Sequence, residues 1–230
     1  MQTNHASSGQ RVAPPVFPRT QHMNNAINSP TPTSLATQLA DFKTTSRSRA
    51  APERVATIEA QIAQLQASGI ARTALQPGAS APALTLPDAT GQAVSLAALW
   101  AQGPLVVVFY RGGWCPYCNL GLREWQRLLP QIKAKGATLV AVSPQTPDNS
   151  LSTAQKSALE FTVLSDSTLE AARGFGVLFD MSPELVALYQ GMGNDLPLIN
   201  GNGRWALPVP ATYVVGKGGR GYLRAYRCRL

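Results

Sequence analysis

Two cysteines, Cys115 and Cys118, lie three positions apart and are the side chains of this sequence best suited to chemistry. On a helix, that spacing places both thiols on one face, one turn apart, where a disulfide can form and reopen. A third cysteine, Cys228, makes the count odd and sparse, which is not a disulfide framework. In a reducing compartment a close pair is typical of a catalytic or metal-binding site.

The residues before the pair predict a strand, a tight turn and the start of a helix. An apolar run over 105–110 is typical of a strand buried on both faces, and two glycines at 112–113 then turn the chain. Pro116 suits the first turn of a helix, where its missing N–H has no partner to lose. A helix N-terminus stabilises a thiolate, and Arg111 adds positive charge. We therefore expect an exposed, reactive pair.

Two other interpretations of the pair are weaker. A structural zinc site needs four ligands, but the chain offers no second close cysteine pair, and its two histidines, His5 and His22, lie near the start. A buried and inert pair would not need the glycines and the polar helix start. No metal is predicted.

The remaining pattern predicts an α/β protein in three parts. Residues 1–33 are polar and aperiodic, which is typical of a disordered tail. Residues 34–76 predict a helical extension, with Ser34 as an N-cap, a polar break over 44–49 and a second helix from Pro52. This extension either packs on the domain or forms a dimer contact, and the first is favoured.

From residue 77 to 230, strands and helices alternate, which predicts a central mixed sheet flanked by helices. Strands are predicted over 83–86, 92–95, 105–110, 138–143, 161–164 and 211–215, with another near Leu223, and helices over 116–134, 147–159, 169–175 and 182–189.

Composition restricts the function classes. The net charge of +8 comes from the two ends, because residues 81–203 carry seven basic and nine acidic side chains. At the two ends, basic residues do not alternate with aromatic ones as on a base-stacking surface, so a nucleic-acid partner is not expected. The sequence shows no membrane span and no secretory signal, which favours a cytoplasmic location. Gly216–Gly219 follows a late strand and indicates a turn, not the glycine-rich phosphate-binding loop that follows a first strand. No nucleotide or other cofactor is predicted.

The local sequence Trp114-Cys115-Pro116-Tyr117-Cys118 resembles the active-site motif of thioredoxins and glutaredoxins, and the surroundings resemble the peroxiredoxins. The matching segments, which run from about residue 77 to 215, are 77–78, 81–88, 91, 94–96, 140–144 and 163–166. This similarity to the alkyl hydroperoxide reductase and thiol-specific antioxidant family, in its double-cysteine branch, implies a thioredoxin-like fold, which the predicted helical N-terminal extension precedes.

The sequence departs from the family at the site. Counted without gaps, the family's proline falls on Arg111, its threonine on Cys115, its peroxidatic cysteine on Cys118 and its later arginine near Pro210. Pro210 resembles the cis-proline loop of thioredoxins, although it also suits the first residue of a strand. The thioredoxin analogy makes Cys115 the attacking thiol and the peroxiredoxin register makes it Cys118; we favour Cys115. Trp114 either faces the substrate or is a hydrophobic contact.

Three functions remain open. The first is a thiol peroxidase acting on hydrogen peroxide or organic hydroperoxides, with thioredoxin or a glutathione-type thiol as reductant. The second is a thioredoxin-type oxidoreductase that exchanges disulfides without special affinity for peroxide. The third is a non-catalytic redox sensor or binding module. The resemblance favours the first, and the missing threonine and arginine favour the second.

The C-terminal segment differs from that of the family. Relatives follow the strand at 211–215 with another strand and a long amphipathic helix, whereas residues after Val215 are rich in glycine and arginine and carry no apolar stripe. This predicts an altered end or a natural basic tail, with no catalytic role for Cys228.

Overall fold

The computed structural model describes residues 33–226. The predicted tail lies outside the described residues except for Thr33, and so does Cys228. The helices are α1 (Leu35–Arg49), α2 (Pro52–Ala67), α3 (Ile70–Thr73), α4 (Leu96–Gln102), α5 (Pro116–Ala134), α6 (Pro147–Lys156), α7 (Glu170–Gly174), α8 (Pro183–Gly191) and α9 (Leu196–Asn200). The strands are β1 (Thr85–Pro87), β2 (Ala93–Ser95), β3 (Leu105–Phe109), β4 (Thr138–Ser143), β5 (Thr162–Ser165), β6 (Leu178–Asp180), β7 (Ala206–Pro208), β8 (Ala211–Val215) and β9 (Gly221–Tyr226).

A five-stranded mixed sheet in the order β5-β4-β3-β8-β9 forms the centre of the fold. Strands β3, β4 and β5 run parallel, and β8 and β9 run antiparallel to their neighbours. Val107 of β3 lies between Val140 of β4 and Tyr213 of β8. Because parallel neighbours need a crossover, α5 connects β3 to β4. The predicted fold, a central mixed sheet flanked by helices, is confirmed.

Strand β3 is apolar throughout because both of its faces are covered. Leu105, Val107 and Phe109 enter one core cluster, which also contains Phe175. Val106 and Val108 enter a second cluster, under α5, that contains both cysteines. The end of β3 and the cysteine pair are therefore fixed by the most deeply buried part of the sheet.

The N-terminal helices pack on the domain, as expected. Helix α1 contacts α5 through Phe42, whose ring meets that of Tyr117 edge to face at 4.9 Å. Helix α2 contacts α8 in a third cluster that contains Leu65 and Leu185. Gln61 extends this contact by accepting a hydrogen bond from the backbone N–H of Ser182 at 2.7 Å.

The predicted break over 44–49 is wrong, because α1 continues to Arg49. The hydroxyls of Ser46 and Ser48 donate to carbonyls three residues earlier, at 3.1 and 3.0 Å, so the polar side chains satisfy their hydrogen-bonding groups on the helix itself. Ser34 caps the start as expected, its hydroxyl accepting from the N–H of Thr37 at 3.2 Å.

Short elements account for most of the other differences. The sequence did not predict helices α3, α4 and α9 or the antiparallel pair β6–β7. Each of these elements is three to seven residues long, which is too short to show a hydrophobic period. The predicted last strand is present as β9, at the edge of the sheet. Among the described residues, the helices lack the length and apolar character needed to span a membrane.

Candidate redox site

The loop between β3 and α5 is held by two side chains from elsewhere in the domain. The N–H of Gly113 donates to Oε1 of Gln145, which follows β4, at 2.8 Å. The carbonyl of Gly113 accepts from Nδ2 of Asn119 on α5, also at 2.8 Å. These bonds fix the path of the chain immediately before Cys115.

Both glycines of the loop are required by space. Gly112 has a φ of +149°, and a Cβ there would overlap the indole of Trp114. A Cβ on Gly113 would overlap the side chain of Thr153. The predicted tight turn is therefore confirmed, and only a residue without a side chain fits at either position.

The sulfur of Cys115 accepts hydrogen bonds from both sides of the turn. Nη2 of Arg111 donates to Sγ at 3.0 Å, and the N–H of Cys118 donates to it at 3.4 Å. Cys115 is thus the N-cap residue of α5, with its sulfur in the position of a capping oxygen. Pro116 occupies the first helical position, as predicted.

The two thiols have opposite acidities. Burial alone would raise the pKa of Cys115, but the hydrogen bond from the Cys118 thiol and the charge of Arg111 outweigh it and lower the pKa to about 6. Burial raises the pKa of Cys118 well above its ordinary value, and the neighbouring Cys115 sulfur raises it further. Near neutral pH the pair therefore consists of a thiolate at Cys115 and a thiol at Cys118.

Arg111 is almost fully buried, at 2% exposure. Its guanidinium lies 5.9 Å from the centre of the Trp114 ring. Its Nε and Nη1 groups are buried and have no acceptor among residues 33–226. A buried guanidinium stays charged when it is paired, and the partner here is the Cys115 thiolate. The predicted placement of Arg111 beside the sulfur is confirmed.

The expected exposure of the pair is wrong. Cys115 is 1% exposed and Cys118 is 7% exposed, because α5, the sheet and the side chain of Trp114 surround them. Cys115 nevertheless borders a groove of about 1,010 Å³, and Cys118 does not. A small molecule in the groove would therefore reach Cys115 first.

This groove, named here the N-terminal groove, lies between helices α1 and α2 and the loop that connects β3 to α5. Its floor is formed by Arg111, Trp114, Cys115 and Tyr189. The Trp114 and Tyr189 rings meet edge to face at 5.5 Å. Tyr189, on α8, was not predicted as a site residue, because nothing in the sequence connects it to a loop so far away.

Pro210 does not form a cis-proline loop. The described residues contain no cis peptide bond, so the peptide preceding Pro210 is trans and that prediction is wrong. The alternative, a proline next to a strand, fits better, since β8 begins at Ala211. The preceding Val209 is held as extended chain by its N–H, which donates to the carbonyl of Val177 at 2.8 Å.

No group of three or more acidic, cysteine or histidine side chains that could hold a metal ion occurs between residues 33 and 226.

Comparisons with known proteins agree with the fold. Residues 77–220, more than half of the chain, match the AhpC/TSA family. Peroxiredoxin Bcp of Escherichia coli K12 is 31% identical over 133 residues, which cover 56% of this chain and 82% of Bcp. A Mycobacterium tuberculosis H37Rv protein whose name assigns it to the peroxiredoxins is 34% identical over 104 residues, and the match spans 45% of this chain and 66% of that protein.

Solved structures show the same fold. Peroxidoxin BcpB from Mycobacterium tuberculosis superposes with a TM-score of 0.55 at 20% identity, covering 66% of this chain and 86% of that one. A mutant of PrxQ from Xylella fastidiosa gives a TM-score of 0.54 at 20% identity, covering 68% and 87%. These structures show the fold, and the family match over residues 77–220 establishes that the chain belongs to the AhpC/TSA family.

Proposed function

We propose that this chain is a thiol-dependent peroxidase that reduces hydrogen peroxide or organic hydroperoxides through Cys115 and Cys118. The observation that carries the proposal is the buried guanidinium of Arg111. One of its N–H groups holds Sγ of Cys115 at 3.0 Å, and its Nε and Nη1 groups have no acceptor among the described residues. A peroxide beside the sulfur supplies oxygen lone pairs to those donors. In the peroxiredoxins that this sequence resembles, a threonine and a later arginine bind and polarise the peroxide, and Arg111 would take over that task.

The first step oxidises Cys115. Its thiolate attacks one peroxide oxygen, the O–O bond breaks, and the electron pair leaves on the other oxygen, which takes up a proton and departs as water or an alcohol. Cys115 is left as a sulfenic acid. Negative charge moves from sulfur to the leaving oxygen, and donors fixed in a site shielded from water stabilise that charge.

The second step closes the disulfide. The Cys118 thiol loses its proton and attacks Sγ of Cys115, and the sulfenic oxygen leaves as water. An external thiol, either a thioredoxin or a glutathione-type compound, then returns two electrons and regenerates both thiols.

Cys115 is the better candidate for the attacking residue. It borders the N-terminal groove and has the lowered pKa, whereas Cys118 lies behind it with a raised pKa. The thiolate is the nucleophilic form. This supports the order suggested by the thioredoxin analogy over that of the peroxiredoxin register.

A thioredoxin-type oxidoreductase is the second candidate. Cys115 at the N-cap and Pro116 at the first helical position are the arrangement that disulfide exchange uses, and the threonine that other peroxiredoxins place three residues before the attacking cysteine is not found before Cys115. Such a protein would exchange rapidly with a protein disulfide and react slowly with peroxide.

Sulfenic-acid trapping tests the proposal. Reduced Cys118→Ser protein, treated with one equivalent of hydrogen peroxide, should bind a dimedone-type reagent, and Cys115→Ser should not. Labelling of only the variant that retains Cys118 would reverse the roles. Labelling of neither variant, together with fast reduction of insulin by the unmodified protein, would favour the second candidate.

A further inference from the structure

We infer that the N-terminal groove binds the reductant and that this reductant is a small thiol carrying carboxylates. The inference rests on the proposed function, because it assigns the thiol that reopens the Cys115–Cys118 disulfide. It extends that proposal by choosing between a protein and a small molecule as the electron donor.

Access to the sulfur favours a small molecule. Cys115 is 1% exposed at the floor of a groove of about 1,010 Å³, which is the upper size of ordinary small-molecule sites and far larger than a peroxide needs. Helices α1 and α2 stand over this floor. A folded protein donor needs a broad matching surface around the sulfur, and these helices occupy that surface.

The helices that form the wall are firmly attached. The hydroxyls of Ser46 and Tyr117 are 3.4 Å apart, next to the edge-to-face contact of Phe42 with Tyr117. On the other side, Gln61 bonds to the backbone of Ser182 at 2.7 Å. The groove is therefore a built feature of the fold, open to a flexible peptide-sized thiol.

Charge on the wall selects an anion. The rim carries the basic side chains of Lys43, Arg47, Arg49 and Arg54 and one acidic side chain, Glu59. Arg47 is paired with Glu59 at 2.6 Å. Lys43, Arg49 and Arg54 have no ion-pair partner within residues 33–226 and remain available for carboxylates. Apolar side chains such as Ile58 and Met192 line the rest and suit the aliphatic part of a peptide.

The chemistry proceeds in two exchanges. The thiolate of the first donor attacks Sγ of Cys115, the Cys115–Cys118 bond breaks, and the electron pair leaves on Cys118, which takes a proton. A second donor thiolate attacks the sulfur of the first donor in the mixed disulfide. It releases the Cys115 thiolate and a disulfide of two donor molecules, so two thiols supply the two electrons.

The test measures the reduction step alone. The full chain is converted to its disulfide with diamide, and the second-order rate of reduction is measured with glutathione and with its diethyl ester, in which both carboxylates are masked. We expect glutathione to exceed the ester by on the order of tenfold at low salt. The double variant Arg49→Gln with Arg54→Gln should remove most of this preference. Because the disulfide is made without peroxide, failure of the peroxidase proposal would appear separately, in the peroxide assay.

A matched control removes the same charge elsewhere. Lys135 and Arg173 are exposed and do not line the groove, so the double variant Lys135→Gln with Arg173→Gln should keep the preference for glutathione. Equal rates for glutathione and its ester in the unmodified protein would overturn the inference. So would an equal loss of preference in both double variants, or reduction by thioredoxin that is faster than by glutathione and unaffected by Arg49→Gln with Arg54→Gln.

Discussion

Replacing Arg111 with glutamine should separate its effect on the thiolate from its effect on peroxide. Arg111 is the cation that holds Sγ of Cys115, and its charge and hydrogen bond both help to lower the pKa of that thiol to about 6 from 9.0. At pH 7 a thiol with a pKa of about 6 is about nine-tenths thiolate, whereas one at 9.0 is about one-hundredth thiolate.

The size of the effect follows from these fractions. A full return to the ordinary pKa would slow the reaction with peroxide about ninetyfold at pH 7. Burial, which raises the pKa, would enlarge this loss, and the hydrogen bond from Cys118, which the variant keeps, would reduce it. We therefore expect a loss on the order of tenfold to a hundredfold at pH 7. At a pH high enough for Cys115 to be a thiolate in both proteins, any remaining difference in the rate of reaction with peroxide measures the donors that Arg111 offers to peroxide.

The assay is the pH dependence of alkylation by iodoacetamide and of oxidation by hydrogen peroxide. Arg127→Gln is the matched control, since this arginine lies on α5, is exposed, and pairs with Glu124 at 2.7 Å rather than with the site. The reasoning is refuted if Arg111→Gln, still folded by circular dichroism, keeps the alkylation midpoint of the unmodified protein.

Three further predictions concern stability and the third cysteine. Gly113→Ala should lower the free energy of unfolding in urea by about 1–3 kcal/mol, because the added Cβ would overlap Thr153. The control, Gly121→Ala on α5, adds a Cβ in open space and should leave the stability unchanged or raise it. Equal effects of the two substitutions would contradict this. The lowered pKa of Cys115 stabilises the reduced fold, and this contribution is complete above the unfolded pKa of 9.0. The free energy of unfolding should therefore decrease as the pH falls from 9.0 through about 6. A Cys115→Ser variant whose unfolding free energy depends on pH in the same way would contradict this. Cys228→Ser should retain full turnover in a peroxide-consumption assay, because Cys118 already lies one turn from Cys115; an inactive variant would assign Cys228 a role.

Patterns that depend on neighbouring residues could be predicted from the sequence. The bounds of α5, β4 and β8 agree with the structure to the residue, since each is a buried or amphipathic run with clear ends. The turn at the two glycines, the helix start at Pro116 and the position of Arg111 beside Cys115 are local too. Their geometry follows from a few consecutive residues.

Features that depend on distant contacts could not be predicted. The burial of both cysteines results from packing of the sheet, α5 and Trp114 around them. The glycines and the polar helix start beside the pair predicted exposure instead. The N-terminal groove exists because α1 and α2 attach to α5 and α8, a contact between segments far apart in the chain. Likewise, only the folded structure shows that Tyr189 forms part of the floor.

The most direct test of the central claim is the second-order rate constant for oxidation of the reduced protein by hydrogen peroxide and by cumene hydroperoxide. Oxidation is followed by the tryptophan fluorescence beside the pair, and the rate is divided by the thiolate fraction at each pH. The account predicts that each Cys115 thiolate reacts faster than the thiolate of free cysteine, because the proposed role of Arg111 is to hold the peroxide beside the sulfur that it already contacts. A rate per thiolate no greater than that of free cysteine, with both peroxides, would contradict it.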